Sequence, residues 1–173
     1  MRHHFTSSQW APYPRAALFR FFANPANLPP LMPRWQDARI DTAHIIAPPD
    51  QPGATSVAGL GSTMRISFRP VPFSPIRQTW HAAITEFACN EHFCDEQTAG
   101  PFAYWRHCHR LRDESRNGVA GTLLTDDVTY EMKFGFLGDL AHALFVARQM
   151  RRTFRYRQQR LETLLPLYQE RDG

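Results

Sequence analysis

From Leu124 to Lys133 the chain alternates between two kinds of side chain. Leu124, Asp126, Val128, Tyr130 and Met132 hold one set of positions, and Thr125, Asp127, Thr129, Glu131 and Lys133 the other. A period of two is the geometry of a strand, whose successive side chains point to opposite faces. The second set is wholly polar and meets water, so the first faces a core. Trp105, His107, His109 and Leu111 alternate in the same way with Arg106, Cys108 and Arg110. The turn signal Arg116-Asn117-Gly118 lies between the two segments. They therefore read as a hairpin, with a connection longer than the tightest type. A sheet with one wet face needs an apolar partner for the other. The chain ends in one: Leu140, Leu144, Ala147, Met150, Phe154, Leu161 and Leu165 recur at helical steps. This stripe predicts a long amphipathic helix from near Asp139, kinked or ended by Pro166.

The rest of the chain supplies more sheet and two short helices. Residues His4 to Trp10 read as a short strand. Pro12 and Pro14 suit a first helical turn, and Ala17, Leu18, Phe21 and Phe22 give that helix an apolar face. Asn24-Pro25 ends it, and Asn24 can cap a second short helix that includes Asn27 and Leu31. Further strands are expected at Ala38 to Ile46, Thr63 to Arg69, Arg77 to Phe87 and Glu91 to Thr98, with a Pro-rich loop around Pro48, Pro49 and Pro52. Met64, Ile66 and Phe68 alternate with Arg65, Ser67 and Arg69, which puts the two arginines outward. Successive hairpins imply an antiparallel sheet. The order of elements is that of an α+β chain whose curved sheet wraps a long C-terminal helix. A strongly bent sheet cannot close on a straight helix along its whole length, and the space left over is a pocket.

The 173 residues fit a single domain over 1–173. No apolar run approaches the ~18–20 residues that cross a bilayer, so no transmembrane segment is expected. Met1-Arg2-His3-His4 leads into a polar strand rather than the apolar core of a signal peptide. Cys89, Cys94 and Cys108 are odd in number and lack metal-ligand spacing, which fits a reduced, cytoplasmic protein. Net charge is +4, with Arg148, Arg151, Arg152, Arg155, Arg157 and Arg160 crowded near the end. No nucleic-acid module accompanies them, so they read as the solvated side of the last helix and no nucleic-acid partner is expected. Gly59-Leu60-Gly61-Ser62 lacks the spacing and following helix of a nucleotide fingerprint, and no cofactor is implied. Oligomeric state is not encoded in any recognisable pattern.

The chemistry concentrates on the hairpin. A symmetric register places His109 opposite Asp126, His107 opposite Val128 and Trp105 opposite Tyr130. A carboxylate beside an imidazole fixes its tautomer and raises its basicity, which is a general-base arrangement. Tyr130 could then donate to a developing enolate. The same His–Asp bond also satisfies buried polar groups without any catalysis, and both readings stand. His-x-His with Asp126 offers three metal ligands, but nothing completes a metal motif and no metal is assigned. Trp80, Trp105, Met64, Phe68, Val128, Met150 and Phe154, together with Trp10, are the candidate pocket wall, apolar and aromatic as small-molecule sites usually are.

Two stretches carry a resemblance. One runs from Asp95 through Gly100-Pro101-Phe102-Ala103-Tyr104-Trp105-Arg106-His107-Cys108-His109. The other runs from Gly121 through Thr125-Asp126-Asp127-Val128-Thr129-Tyr130 and Phe134-Gly135-Phe136-Leu137-Gly138 to Phe154-Arg155-Tyr156-Arg157. With Phe21 to Leu28 at the first helix exit, the chain resembles START-like lipid-transfer domains and polyketide cyclase/dehydrase proteins, in particular a bacterial ligand-binding branch. The resemblance implies a helix-grip fold: six to seven antiparallel strands around a long C-terminal helix, with two short helices after the first strand. It also implies a small hydrophobic ligand (lipid, quinone, steroid or polyketide-like) that is carried or sensed. Some members of such families cyclise or dehydrate polyketides, and here His109 or His107, Asp126 and Tyr130 would be the catalytic set. A third reading is an interaction protein acting through its arginine-rich helix face. The resemblance supplies no universal set of catalytic residues.

Overall fold

The computed structural model describes residues 1–49, 55–135 and 145–172. Seven strands form one antiparallel sheet: β1 (Arg2–Ala11), β2 (Arg39–His44), β3 (Thr63–Phe68), β4 (Gln78–Ala88), β5 (His92–Ala99), β6 (Phe102–Asp113) and β7 (Thr122–Met132). The spatial order is β1-β7-β6-β5-β4-β3-β2, so β2 to β7 run as a meander and β1 returns to the edge beside β7. β1 is longer than its sequence pattern suggests, because all ten of its residues pair with β7, from Arg2 opposite Glu131 to Ala11 opposite Thr122. Gly121, at the start of β7, leaves no room for a side chain: a Cβ there would stand 2.5 Å from the Ala11 carbonyl oxygen.

Two helices precede β2: α1 (Arg15–Ala23) and the single turn α2 (Leu28–Leu31). Asn24 caps the turn between them, its side-chain oxygen accepting from the Ala26 N–H at 3.0 Å. The long helix α3 is described from Ala147 to Asp172; its expected start near Asp139, with Leu140 and Leu144, lies outside the described residues. Pro166 does not end it. Leu161 and Leu165 are buried in the core with Leu18, Phe19 and Phe21 of α1, and Tyr168 packs edge-on against Phe21. These contacts secure the turn that loses a backbone hydrogen bond to the proline. Among the described residues, no helix is long and apolar enough to cross a membrane.

The β6–β7 hairpin has the symmetric register: Trp105 opposite Tyr130, His107 opposite Val128, and His109 opposite Asp126. Its tip is tighter than the sequence suggests. Arg116 and Val119 exchange both backbone hydrogen bonds at 2.9 Å, and Asn117 and Gly118 take φ values of 51° and 78°. That is the two-residue turn with both central residues left-handed, where Asn-Gly is the favoured pair.

The cysteines differ from the reduced state read from the sequence. Cys94 and Cys108 are opposite each other in the β5–β6 register and are joined by a disulfide, which leaves Cys89 as the cysteine outside it. Both lie on the outer face, yet are buried, because Glu86, Arg106 and His92 form an ion-pair cluster over them. Directly opposed strand residues bring two Cβ atoms within bonding reach whatever their spacing in sequence. A disulfide persists in oxidising surroundings, so the cysteines give no support to the cytoplasmic placement expected from their number.

Candidate functional site

A cavity of about 350 Å³ lies between the concave face of the sheet and α3, closed at one side by α1 and α2. Its wall is built from the inward set of each strand: Met64, Ile66 and Phe68 of β3, Trp80 and Ile84 of β4, Phe93 of β5 and Trp105 of β6. Met150 and Phe154 of α3 complete it, because the helix turns its apolar stripe toward the sheet. Trp80 and Trp105 meet edge to face with ring centroids 4.7 Å apart, and Phe102 packs on both. Six of the eight wall residues expected from sequence line the cavity. Val128 does not: it is buried beside Trp105 and Phe154 in the packing behind the wall. Trp10 is also elsewhere, its indole N–H donating to the Glu114 carbonyl at 2.8 Å.

The ionisable groups gather at one place. His107 and His109 project from β6 into the cavity, joined by Asp95 of β5. Asp126 lies behind the imidazoles, buried and off the cavity wall. The expected partner across the register is His109, but the hydrogen bond is diagonal: His107 Nε2 donates to Asp126 Oδ1 at 2.8 Å. His109 Nδ1 lies 2.8 Å from the same oxygen, outside the angular range of a hydrogen bond, and has no other partner. The carboxylate fixes His107 with its proton on Nε2, so Nδ1 is the basic nitrogen, 3.7 Å from Asp95 Oδ1.

Burial decides the charges. Desolvation, with the nearby His109 adding to it, holds the His107 pKa below the usual histidine value, and desolvation likewise lowers His109. Burial raises the Asp95 carboxyl above the ordinary aspartate range. Burial also opposes the Asp126 charge, but His109, Arg157 and the His107 hydrogen bond outweigh it and hold that carboxyl well below its usual value. At neutral pH the cluster therefore holds two neutral imidazoles beside the Asp126 carboxylate. Tyr130 is not on the cavity wall. It is packed between Trp105 and Phe102, and burial raises its pKa, so it stays a phenol without access to a ligand.

Two ionisable residues of the cavity escape a sequence reading. Asp95 follows Cys94 on a strand whose faces the pattern leaves unassigned. Arg157 is the more instructive. Arg148, Arg151, Arg152 and Arg155 are exposed on α3, as the solvated-face reading expects, whereas Arg157 lines the cavity. The signal was present: Arg157 fills the gap in the stripe, three residues after Phe154 and four before Leu161. Asp95, His107 and His109 each offer one metal-ligating atom, all within 4.8 Å of one another. That spacing is loose for a single ion, and a cationic guanidinium shares the cavity.

Comparison with known proteins places this architecture. The family described as "Polyketide cyclase / dehydrase and lipid transport" matches residues 11–158. The fold is similar to that of Ara h 8.0201, with a TM-score of 0.60 and 16% identity over 95% of this chain and 98% of that one. It is equally similar to TTHA0849 from Thermus thermophilus, with a TM-score of 0.62 and 16% identity over the same shares. No curated protein matches the sequence.

Proposed function

The chain belongs to the polyketide cyclase/dehydrase and lipid-transport family, and from that premise we propose that it binds a small hydrophobic molecule in the sheet–helix cavity as a carrier or sensor. The observation that carries this reading is the cavity itself. At about 350 Å³ it falls within the ~300–1,000 Å³ of small-molecule sites. Its wall is aromatic and aliphatic, with the ionisable side chains gathered in one cluster. Such a wall binds by removing apolar surface from water, and the cluster sets the orientation of the bound molecule.

Native mass spectrometry of purified protein tests it, followed by denaturation and identification of any released compound. A co-purified lipid, quinone or polyketide-like molecule supports the reading. An apo protein that also fails to bind the neutral dye Nile red refutes it.

A second reading, cyclisation or dehydration of a polyketide-like substrate, is favoured by the His107–Asp126 hydrogen bond. His107 Nδ1 is then the base that removes a proton beside a carbonyl, with Asp126 as its positioning residue. His107→Gln abolishes turnover while leaving Nile red affinity unchanged if this is correct; unchanged turnover of a cyclisable poly-β-ketone rules it out.

A further inference from the structure

Arg157 is a cation on the wall of an apolar cavity, with no carboxylate in ion-pair contact among the described residues. Its Nε is buried without a hydrogen-bond partner. Among the described residues, no carboxylate pairs with its guanidinium within 4.0 Å; the guanidinium lies over the Phe154 ring, 4.9 Å from Cζ to centroid, and acts on Asp126 and Asp95 through space. Asp126 acts on it through space rather than in contact, its carboxylate being hydrogen-bonded by His107. A buried N–H without an acceptor is unfavourable, and a ligand oxygen at this wall would satisfy it. His109 Nδ1 is a second buried polar atom left without a hydrogen bond, near enough to Arg157 to feel its charge. The Arg157 guanidinium and the His109 imidazole thus mark one polar end of an otherwise apolar cavity.

Resting on the cavity reading above, we propose that Arg157 is the head-group site for an amphipathic carboxylic acid, whose apolar body lies along Trp80, Trp105 and Phe154. The planar guanidinium fork matches a carboxylate with two parallel hydrogen bonds. A monoanion also suits the local charge better than a phosphate dianion, because the Asp126 carboxylate already acts on the same region. The acid could be a fatty acid or an aromatic, polyketide-derived acid; both carry the same head.

The test is displacement of Nile red by matched pairs: dodecanoate against methyl dodecanoate, and 2-naphthoate against methyl 2-naphthoate. On the wild-type protein at least one acid displaces the dye at a concentration tenfold or more below its ester, and the pair with the larger ratio identifies the source. Arg157→Gln brings acid and ester to the same concentration, each read against that variant's own Nile red affinity. Arg157→Lys keeps the charge but not the fork and retains part of the preference, and Arg155→Gln, exposed two residues away, retains all of it. Equal displacement by acid and ester on the wild type, or a preference that survives Arg157→Gln, overturns the head-group site alone. No Nile red binding at all overturns the cavity reading and this site with it.

Discussion

Acidification from pH 7.5 to 5.5 is expected to destabilise the protein through His107 and His109. Each is 5% exposed, and burial lowers the pKa of both below the ordinary histidine value. The unfolded chain, with histidine pKa values of about 6.5, therefore takes up protons before the folded protein does, and stability falls as the pH drops below that value until the folded pKa is reached. A histidine that stays neutral in the folded state costs about 1.4 kcal/mol at pH 5.5, so the pair costs at most about 3 kcal/mol. Asp95 acts in the opposite sense. Burial raises its pKa, so as the pH falls toward the ordinary aspartate range the folded state takes up a proton before the unfolded chain does, and acidification favours folding there. Asp126 stays charged in both states across this window; its depressed pKa supports the fold above about pH 3.8 and is lost only below that. Urea denaturation at half-unit pH intervals measures the slope. The double variant His107→Gln/His109→Gln, which keeps an N–H donor for Asp126, should flatten most of it. A wild-type stability unchanged between pH 7.5 and 5.5, or an identical decline in the double variant, refutes the reasoning.

Three further outcomes are expected. Thiol titration of the denatured, unreduced protein should find one reactive cysteine, Cys89, rising to three after reduction, and reduction should lower stability by about 3 kcal/mol because Cys94 and Cys108 close a loop with a sequence separation of 14; three thiols without reductant would remove the disulfide. Gly121→Ala should cost about 1–3 kcal/mol in urea denaturation, since the new Cβ meets the Ala11 carbonyl and the Trp10 ring on β1, and a neutral result would mean that β1 shifts freely. Asp126→Leu should destabilise by about 1–3 kcal/mol by leaving the His107 N–H buried without an acceptor, whereas Asp127→Leu, on the wet face one residue away, should change stability by less than about 0.5 kcal/mol; equal losses would show that the buried hydrogen bond contributes nothing special.

Much of this protein is written in local patterns. The period of two in β6 and β7 sets which side chains face the core, and Asn117-Gly118 sets the register that brings Trp105, His107 and His109 opposite Tyr130, Val128 and Asp126. The apolar positions of α1, the Asn24 cap and the stripe of α3 are likewise short-range signals, because strand and helix geometry repeat over a few residues. What the sequence could not decide is which long-range neighbours meet. His107 rather than His109 donates to Asp126, because the side chains lean diagonally across the register. Tyr130 and Val128 share the inward face with the histidines but lie behind the wall, since the cavity is only the part of the core that α3 leaves unfilled. Cys94 and Cys108 bond because β5 and β6 place them opposite one another. Arg157 shows the division most clearly. Composition marks it as one of a row of surface arginines, and the helical stripe gives it an inward position. Only the packing of α3 over the sheet opens a cavity at that position, and so places a surface-type residue on a cavity wall.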